Sequence, residues 1–338
     1  MLQAPTALTL GALLQSLPVD VLSIGASAEG RPIHGVTLGQ GPLAVSIIAG
    51  CHADEPGGPL AAVELLRRLA SPQAAPLLAQ TTWRIVPLAN PDGAERNAGW
   101  FAPVPDLRAY LEGAVRDLPG EDREFGFPRD ATDPAMPETR AIADFLAGGG
   151  PVALHASLHG MAFAAGAWWL IDAAWVDRTA ALRSKLTRVF NGAGLGRHDI
   201  ERGGEKGFHR IASGFCTTPT SAAMAAHFLN QNDPETAARF RPTSMEFMRS
   251  LGGDPLCMVS ELPLFCVEPH PGARGPVRQR RFFEGLRAEI ASLRASGDDA
   301  ALAAFEARFN PVPVPFAVQA EVISAAVLES VKFLLPGR

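Results

Sequence analysis

The sequence is poor in the features that mark several common functions. Four cysteines, Cys51, Cys216, Cys257 and Cys266, are scattered over 338 residues, and no two form a CxxC pair. That spacing excludes a disulfide framework, a cysteine-built zinc site and a thioredoxin-like redox motif. Tyrosine occurs once, at Tyr110. No run of about 18 apolar residues is present, so no segment is expected to span a membrane. Positive charge is not in excess either: Lys+Arg 30 against Asp+Glu 35 gives a net charge of −5. The chain therefore carries no basic footprint for nucleic acid and no polybasic patch for a membrane surface. The glycine-rich phosphate loops GxGxxG and GxxxxGK[ST] and the nucleophile elbow GxSxG are absent. The apolar N-terminal stretch lacks the basic flank and cleavage site of a signal peptide. Its Leu10, Leu13, Leu14 and Leu17 sit at helical spacing instead. A cytoplasmic protein is expected.

What is present is core-forming. Hydrophobic residues make up 47% and charged residues 19%, proportions that suit one sizeable core rather than a disordered chain. Strand and helix signals alternate. Val36–Leu38, Leu43–Ala49, Thr82–Leu88, Val152–Leu158, Trp168–Ile171 and a short Leu256–Val259 read as strands. Pro59–Leu69, Pro137–Leu146 and Val176–Phe190 read as helices, and two or three more follow Arg278. This alternation predicts an α/β fold, a mixed, mostly parallel sheet with helices on both faces. A single domain over 1–338 is expected, with a core over about 20–265 and a helical C-terminal extension over 266–338. The weakly periodic, proline-rich stretch 96–133 reads as a long loop, and such loops are usually functional.

In open α/β sheets, ligands bind beyond the carboxyl ends of the strands. The expected strand ends deliver His52 and Glu55, the turn Asn90-Pro91-Asp92-Gly93, His159-Gly160, and Glu261. His52 and Glu55 form an HxxE pair whose imidazole and carboxylate are both zinc ligand types. The spacing alone is weak, because short patterns recur by chance. His198 and Glu201 make a second HxxE, in a glycine-rich stretch with no strong strand before it, and His198 is expected to be a solvated loop histidine. His159 could supply the third ligand a catalytic zinc needs. His155, deeper in the same strand, is expected to be a satisfied core histidine. Glu261 reads either as a desolvated proton-transfer group or as a salt-bridged carboxylate. Arg96 and Arg123 read either as guanidinium groups that polarise a carbonyl or clamp a carboxylate, or as ordinary surface arginines. Cys51 has no base or orienting partner that would make it a nucleophile.

Taken together, and in order, several segments resemble the zinc carboxypeptidase family, including its aspartoacylase and succinylglutamate desuccinylase branch. They are Ile24 to Ile33, Ala49 to Pro56 (Ala-Gly-Cys-His-Ala-Asp-Glu-Pro), Pro87 to Gly93, Pro137 to Ala141, Ser157-Leu158-His159-Gly160 and Glu261-Leu262-Pro263. The resemblance implies one Zn2+ per chain held by His52, Glu55 and His159. It implies that Glu261 is the general base and acid and that Arg96 stabilises the oxyanion. Asp122 and Arg123 would bind the substrate's carboxylate, although Asp122 stands where the family usually has Asn. Gly120 falls where the family carries the aspartate that orients the first zinc histidine, a place Glu121 or Asp117 could fill. The mobile tyrosine of digestive carboxypeptidases has no counterpart. The implied activity is hydrolysis of a C–N amide bond in a peptide. The alternatives are N-acyl amino acid deacylation, or an inactive binding protein on the same fold. A small peptide or acylated amino acid is the implied partner, with no nucleic acid and no membrane; the sequence carries no sign of oligomeric state.

Overall fold

Continuous apolar runs build the centre of the sheet, where both faces are covered. In the computed structural model, which describes residues 5–118 and 120–335, ten strands pair into one sheet. They are β1 (Val21–Ala26), β2 (Pro32–Gly39), β3 (Leu43–Ala49), β4 (Thr81–Val86), β5 (Leu154–Ala164), β6 (Trp168–Ile171), β7 (Arg210–Ala212), β8 (Phe215–Thr217), β9 (Leu256–Cys266) and β10 (Val312–Pro313). Their spatial order is β1-β2-β4-β3-β5-β9-β6-β8-β7, with β10 on β9. The four central strands β4, β3, β5 and β9 run parallel. Antiparallel pairs flank them at β1–β2, β2–β4, β6–β9 and β7–β8. The sheet is thus mixed, with a parallel core.

Side chains alternate across a strand with period two, and β3 shows the result. Val45, Ile47 and Ala49 face one apolar cluster with Leu60, Leu66, Ile323 and Val327. Ile48 faces the other, with Ile142, Leu146 and Met248. Helices Gly57–Leu69 and Phe316–Leu334 therefore cover one face, while Pro137–Ala147 and Ser244–Ser250 cover the other. The C-terminal helix Phe316–Leu334 packs on Gly57–Leu69 and Ala180–Gly192 and buries Ala320, Ile323, Ala326 and Val327, so the end of the chain completes the core.

Two expected strands are longer than their apolar runs. β5 and β9 continue to Ala164 and Cys266, paired in register from Leu154↔Leu256 through His159↔Glu261 to Ala164↔Cys266. Both His159 and Glu261 therefore lie inside strands rather than beyond them. The 96–133 stretch is not wholly irregular, since Leu107–Gly113 is a helix capped by Asp106, whose carboxylate accepts from the Ala109 amide. No helix among the described residues is long and apolar enough to cross a membrane.

Candidate metal centre

β3 ends at Ala49, and Gly50 turns the chain with φ 68°, a left-handed conformation that glycine adopts without cost. A Cβ there would also lie 2.7 Å from Leu88 and 2.9 Å from Pro59. This tight turn carries His52 and Glu55 to the mouth of the sheet beside β5, where His159 points the same way. His52 Nδ1 lies 2.8 Å from Glu55 Oε1, His159 Nδ1 2.8 Å from Glu55 Oε2, and the two Nδ1 atoms 3.0 Å apart. One ligand atom from each residue falls within 4.8 Å of the others.

The far nitrogen of each ring faces an oxygen acceptor. Ser157 Oγ donates to Glu124 Oε2 at 2.7 Å, so it can only accept from His159 Nε2 at 2.8 Å. Glu124 Oε2 lies 3.1 Å from that same nitrogen. Asp122 Oδ2 sits 3.3 Å from His52 Nε2. An acceptor at each Nε2 favours a proton there, so that Nδ1 of each ring would turn its lone pair to a cation bound among them, the usual device for orienting a ligating histidine. Electrostatics agree. Burial opposes charge on both imidazoles more than any one neighbour favours it, but the neighbours together outweigh it: Glu55 with Asp122 raises His52 to about 9, and Glu55 with Glu124 and the Cys51 contact raises His159 well above its ordinary value. Glu55 is held low in turn, because His52, His159 and Arg116 outweigh its own burial. Two nitrogens and a carboxylate that jointly demand positive charge are the donor set of a three-ligand zinc centre with an open fourth position. The residues fit the ion.

Glu261 stands in register with His159 on the neighbouring strand and opposite Trp168 of β6. Its carboxyl is pushed up to about 8 by burial and by the Glu55 charge.

The two arginines and Asp122 are each held by contacts within the chain. Asp122 Oδ1 accepts from the Glu124 and Phe125 amides while Oδ2 faces His52 Nε2, so it is engaged with the first histidine of the cluster. It fills the place expected of Glu121 or Asp117 across from Gly120. Arg96 donates to Asp117 at 2.7 Å and Glu29 at 3.2 Å, and makes no hydrogen bond to the cluster. Arg123 is buried, with Nη2 on Glu138 at 3.2 Å and Nη1 on the Glu121 carbonyl at 2.6 Å. Its Nε has no hydrogen-bond partner among the described residues, so the guanidinium is paired inside the fold without being saturated. The guanidinium at the cluster is Arg116, which the sequence reading missed. It is half exposed and donates to Glu55 Oε1 at 3.0 Å and Asp54 Oδ1 at 3.2 Å. Glu124 was missed too: its carboxylate holds Ser157, Ser244 and His159 together. Neither residue had a motif to announce it, though Glu124 directly follows Asp122 and Arg123.

The remaining motif residues brace the centre. Asp92 accepts from Ser27 Oγ, the Glu29 amide and Arg31. Asn90 caps Pro91–Asn97 through the Gly93 amide and donates to Asp117 at 2.5 Å. His155 is buried between the hydroxyls of Ser46 and Ser244. Cys51 is buried, its thiol pushed up to about 12 by desolvation. Tyr110 is a core residue against Trp100 and Phe265.

Residues 13–102 match the family model described as zinc carboxypeptidase. A search of the curated proteins gives no match. Among solved structures, a metallo-carboxypeptidase from Burkholderia cenocepacia aligns over 96% of this chain and 67% of its own, with TM-score 0.51 and 17% identity. Metallopeptidase candidates from Shewanella denitrificans and Shewanella baltica align at TM-score 0.52 and 14% identity each. They cover 95% and 96% of this chain, and 86% and 89% of their own. The fold is that of the zinc carboxypeptidases. The segment that matches the family model contains His52, Glu55 and Arg96; His159 and Glu261 lie outside it and are set side by side through the β5–β9 register.

Proposed function

We propose that this protein is a zinc-dependent hydrolase of a C–N amide bond, acting as a metallocarboxypeptidase on a peptide. The observation that supports this reading is the convergence of His52, Glu55 and His159, with Glu261 in register beside His159. Those three residues would hold one zinc ion per chain, and bound zinc supplies a Lewis acid and a water acidified to about pKa 7. Glu261 is the proton carrier. As a carboxylate it takes the water's proton, and as the acid it returns that proton to the departing amine nitrogen. A carboxyl lifted toward neutrality by burial suits both roles, since efficient proton transfer needs a pKa near the working pH. Arg116, rather than Arg96, brings a guanidinium to the cluster and would stabilise negative charge on the carbonyl oxygen. Arg96 acts at one remove, holding Asp117 in place.

The test is zinc content together with hydrolysis, in wild type and His159→Ala. The expected result is about one zinc in the wild type, release of C-terminal residues from peptides, and loss of both in the variant. Zinc without turnover would favour a binding protein on the same fold, and turnover of N-acyl amino acids alone would favour the deacylase. A wild type that takes up no zinc when it is supplied would overturn the reading.

A further inference from the structure

A cavity of about 380 Å³ opens beside His52. Its apolar wall is an aromatic row in which Phe125 meets Phe240 edge-on at 5.3 Å and Phe240 stacks on Phe228 at 5.4 Å. Its charged groups differ in one respect. Asp117 is shared by Arg96, Asn90 and Arg123, Asp122 belongs to His52, and Arg239 pairs with Glu235 at 2.8 Å. Arg116 is bound to Glu55. Lys206 alone of these groups has no carboxylate within ion-pair distance among the described residues; its Nζ lies 5.3 Å over the Phe228 ring. The adjacent Glu205 is committed to Arg202 at 3.0 Å and Arg280 at 2.5 Å.

The backbone at Lys206 is costly. Its φ is 57° and ψ 19°, within a run where Gly203, Gly204 and Gly207 are also left-handed, at φ 61°, 82° and 85°. Glycine occupies such positions freely, whereas a residue with a Cβ is strained there. Strained residues that persist cluster at ligand sites, where the surrounding structure holds them. The loop is held: a Cβ on Gly207 would come within 2.9 Å of Ala223, on the helix Ser221–Asn230 that carries Phe228 and Met224. Lysine is also scarce, this being one of three in the sequence. A strained, half-buried ammonium with no carboxylate partner among the described residues stands in an aromatic-walled cavity, where an anion would complete it.

We propose that Lys206 is the anion-recognising residue of the substrate cavity, and that the group bound there is a carboxylate carried on an apolar or aromatic body. Arg123 is buried and already paired with Glu138, whereas Lys206 lines the cavity. The inference rests on the hydrolase reading only in calling the ligand a substrate. The recognition itself is independent of zinc.

The test is binding of 3-phenylpropanoate and its neutral amide, 3-phenylpropanamide, to the zinc-loaded protein, followed by chemical-shift titration or calorimetry. Wild type should bind the acid about 10-fold or more tighter than the amide, the size of a charge-assisted contact. Lys206→Met and Lys206→Gly should lose that preference while binding the amide unchanged. The glycine variant relieves the left-handed strain, so its Tm should be equal to or above that of wild type. A lost preference then cannot be ascribed to unfolding. His159→Ala, which lacks a zinc ligand, should keep the preference. If both Lys206 variants keep it and His159→Ala loses it, the carboxylate binds the metal and the proposal fails. Equal affinity for acid and amide in the wild type also overturns it. Absence of zinc in the wild type, by contrast, would remove the hydrolase reading and leave the Lys206 result standing.

Discussion

The chain contains the same four-residue pattern twice, and the two copies meet different fates. His52 and Glu55 lie 2.8 Å apart within a knot of carboxylates and imidazoles that draws charge onto both rings. His198 and Glu201 never meet. His198 is buried at 3% exposure, its ring edge-on to Phe283 and Trp168, and its Nδ1 accepts from the Ala165 amide at 3.3 Å. Burial pushes it down to about 3, so it is neutral. Glu201 turns away to accept from the Gly203 amide at 2.7 Å. The expected solvated loop histidine is thus a core histidine. Spacing brings two ligand types close along the chain. At His52 that closeness is joined by a third donor, His159, and by carboxylates on the far nitrogens, the arrangement a cation site needs.

Exchanging alanine for each histidine should separate the copies most sharply. His52→Ala should weaken zinc binding by well over 100-fold, since it deletes one of three protein ligands. His198→Ala should leave zinc stoichiometry at wild-type level, and zinc lost from the second variant but kept in the first would reverse the assignment. A smaller effect is expected from Glu261→Gln, which keeps shape but cannot take a proton: zinc retained, and kcat lower by about 10²–10⁴-fold. Retained turnover at the wild-type rate would exclude Glu261 as the proton carrier. Smaller again is Glu124→Gln, which leaves His159 a neutral partner. Zinc affinity should fall about 10–100-fold, measured by competition with a chelator. An unchanged affinity would mean that Ser157 alone orients His159.

The parts of the site legible in the sequence were those tied to regular elements. LAVSIIA reads as a buried strand, so the place of His52 just after it could be anticipated, and the register of β5 against β9 then sets His159 beside Glu261. The apolar run before Glu261 stops at Val259, whereas β9 goes on to Cys266, because hydrogen bonding to β5 and β6 sustains the strand through a polar pair. β1 was not anticipated, since its residues are half-exposed and carry no alternating apolar face. The arginines could not be ranked from the sequence for a different reason. Which guanidinium reaches Glu55 depends on how the irregular chain around 114–125 folds back, and Arg116 has no local pattern to distinguish it from Arg96 or Arg123. Lys206 is of the same kind: its meaning comes from a left-handed backbone and a cavity wall contributed by distant segments.

The last expected effect concerns the second histidine pattern alone, and its sign follows from burial. An unfolded histidine titrates near 6.5, while folded His198 titrates at about 3. Between these values the unfolded chain binds a proton that the folded chain refuses. This residue therefore costs no stability above about pH 6.5, and an increasing amount as pH falls toward 3. At pH 5 the cost is about 2 kcal/mol, from 1.36 kcal/mol per unit of separation. His198→Asn keeps an acceptor near the Nδ1 position for the Ala165 amide but cannot be protonated. Whatever its stability at pH 7, it should lose about 2 kcal/mol less than wild type between pH 7 and pH 5, read from urea midpoints at both values. His155, also neutral and pushed down to about 4, is present in both proteins and cancels. Equal losses in the two proteins would mean that His198 takes up its proton in the folded state, and the contrast between a charge-gathering and a charge-refusing copy of the pattern would fall.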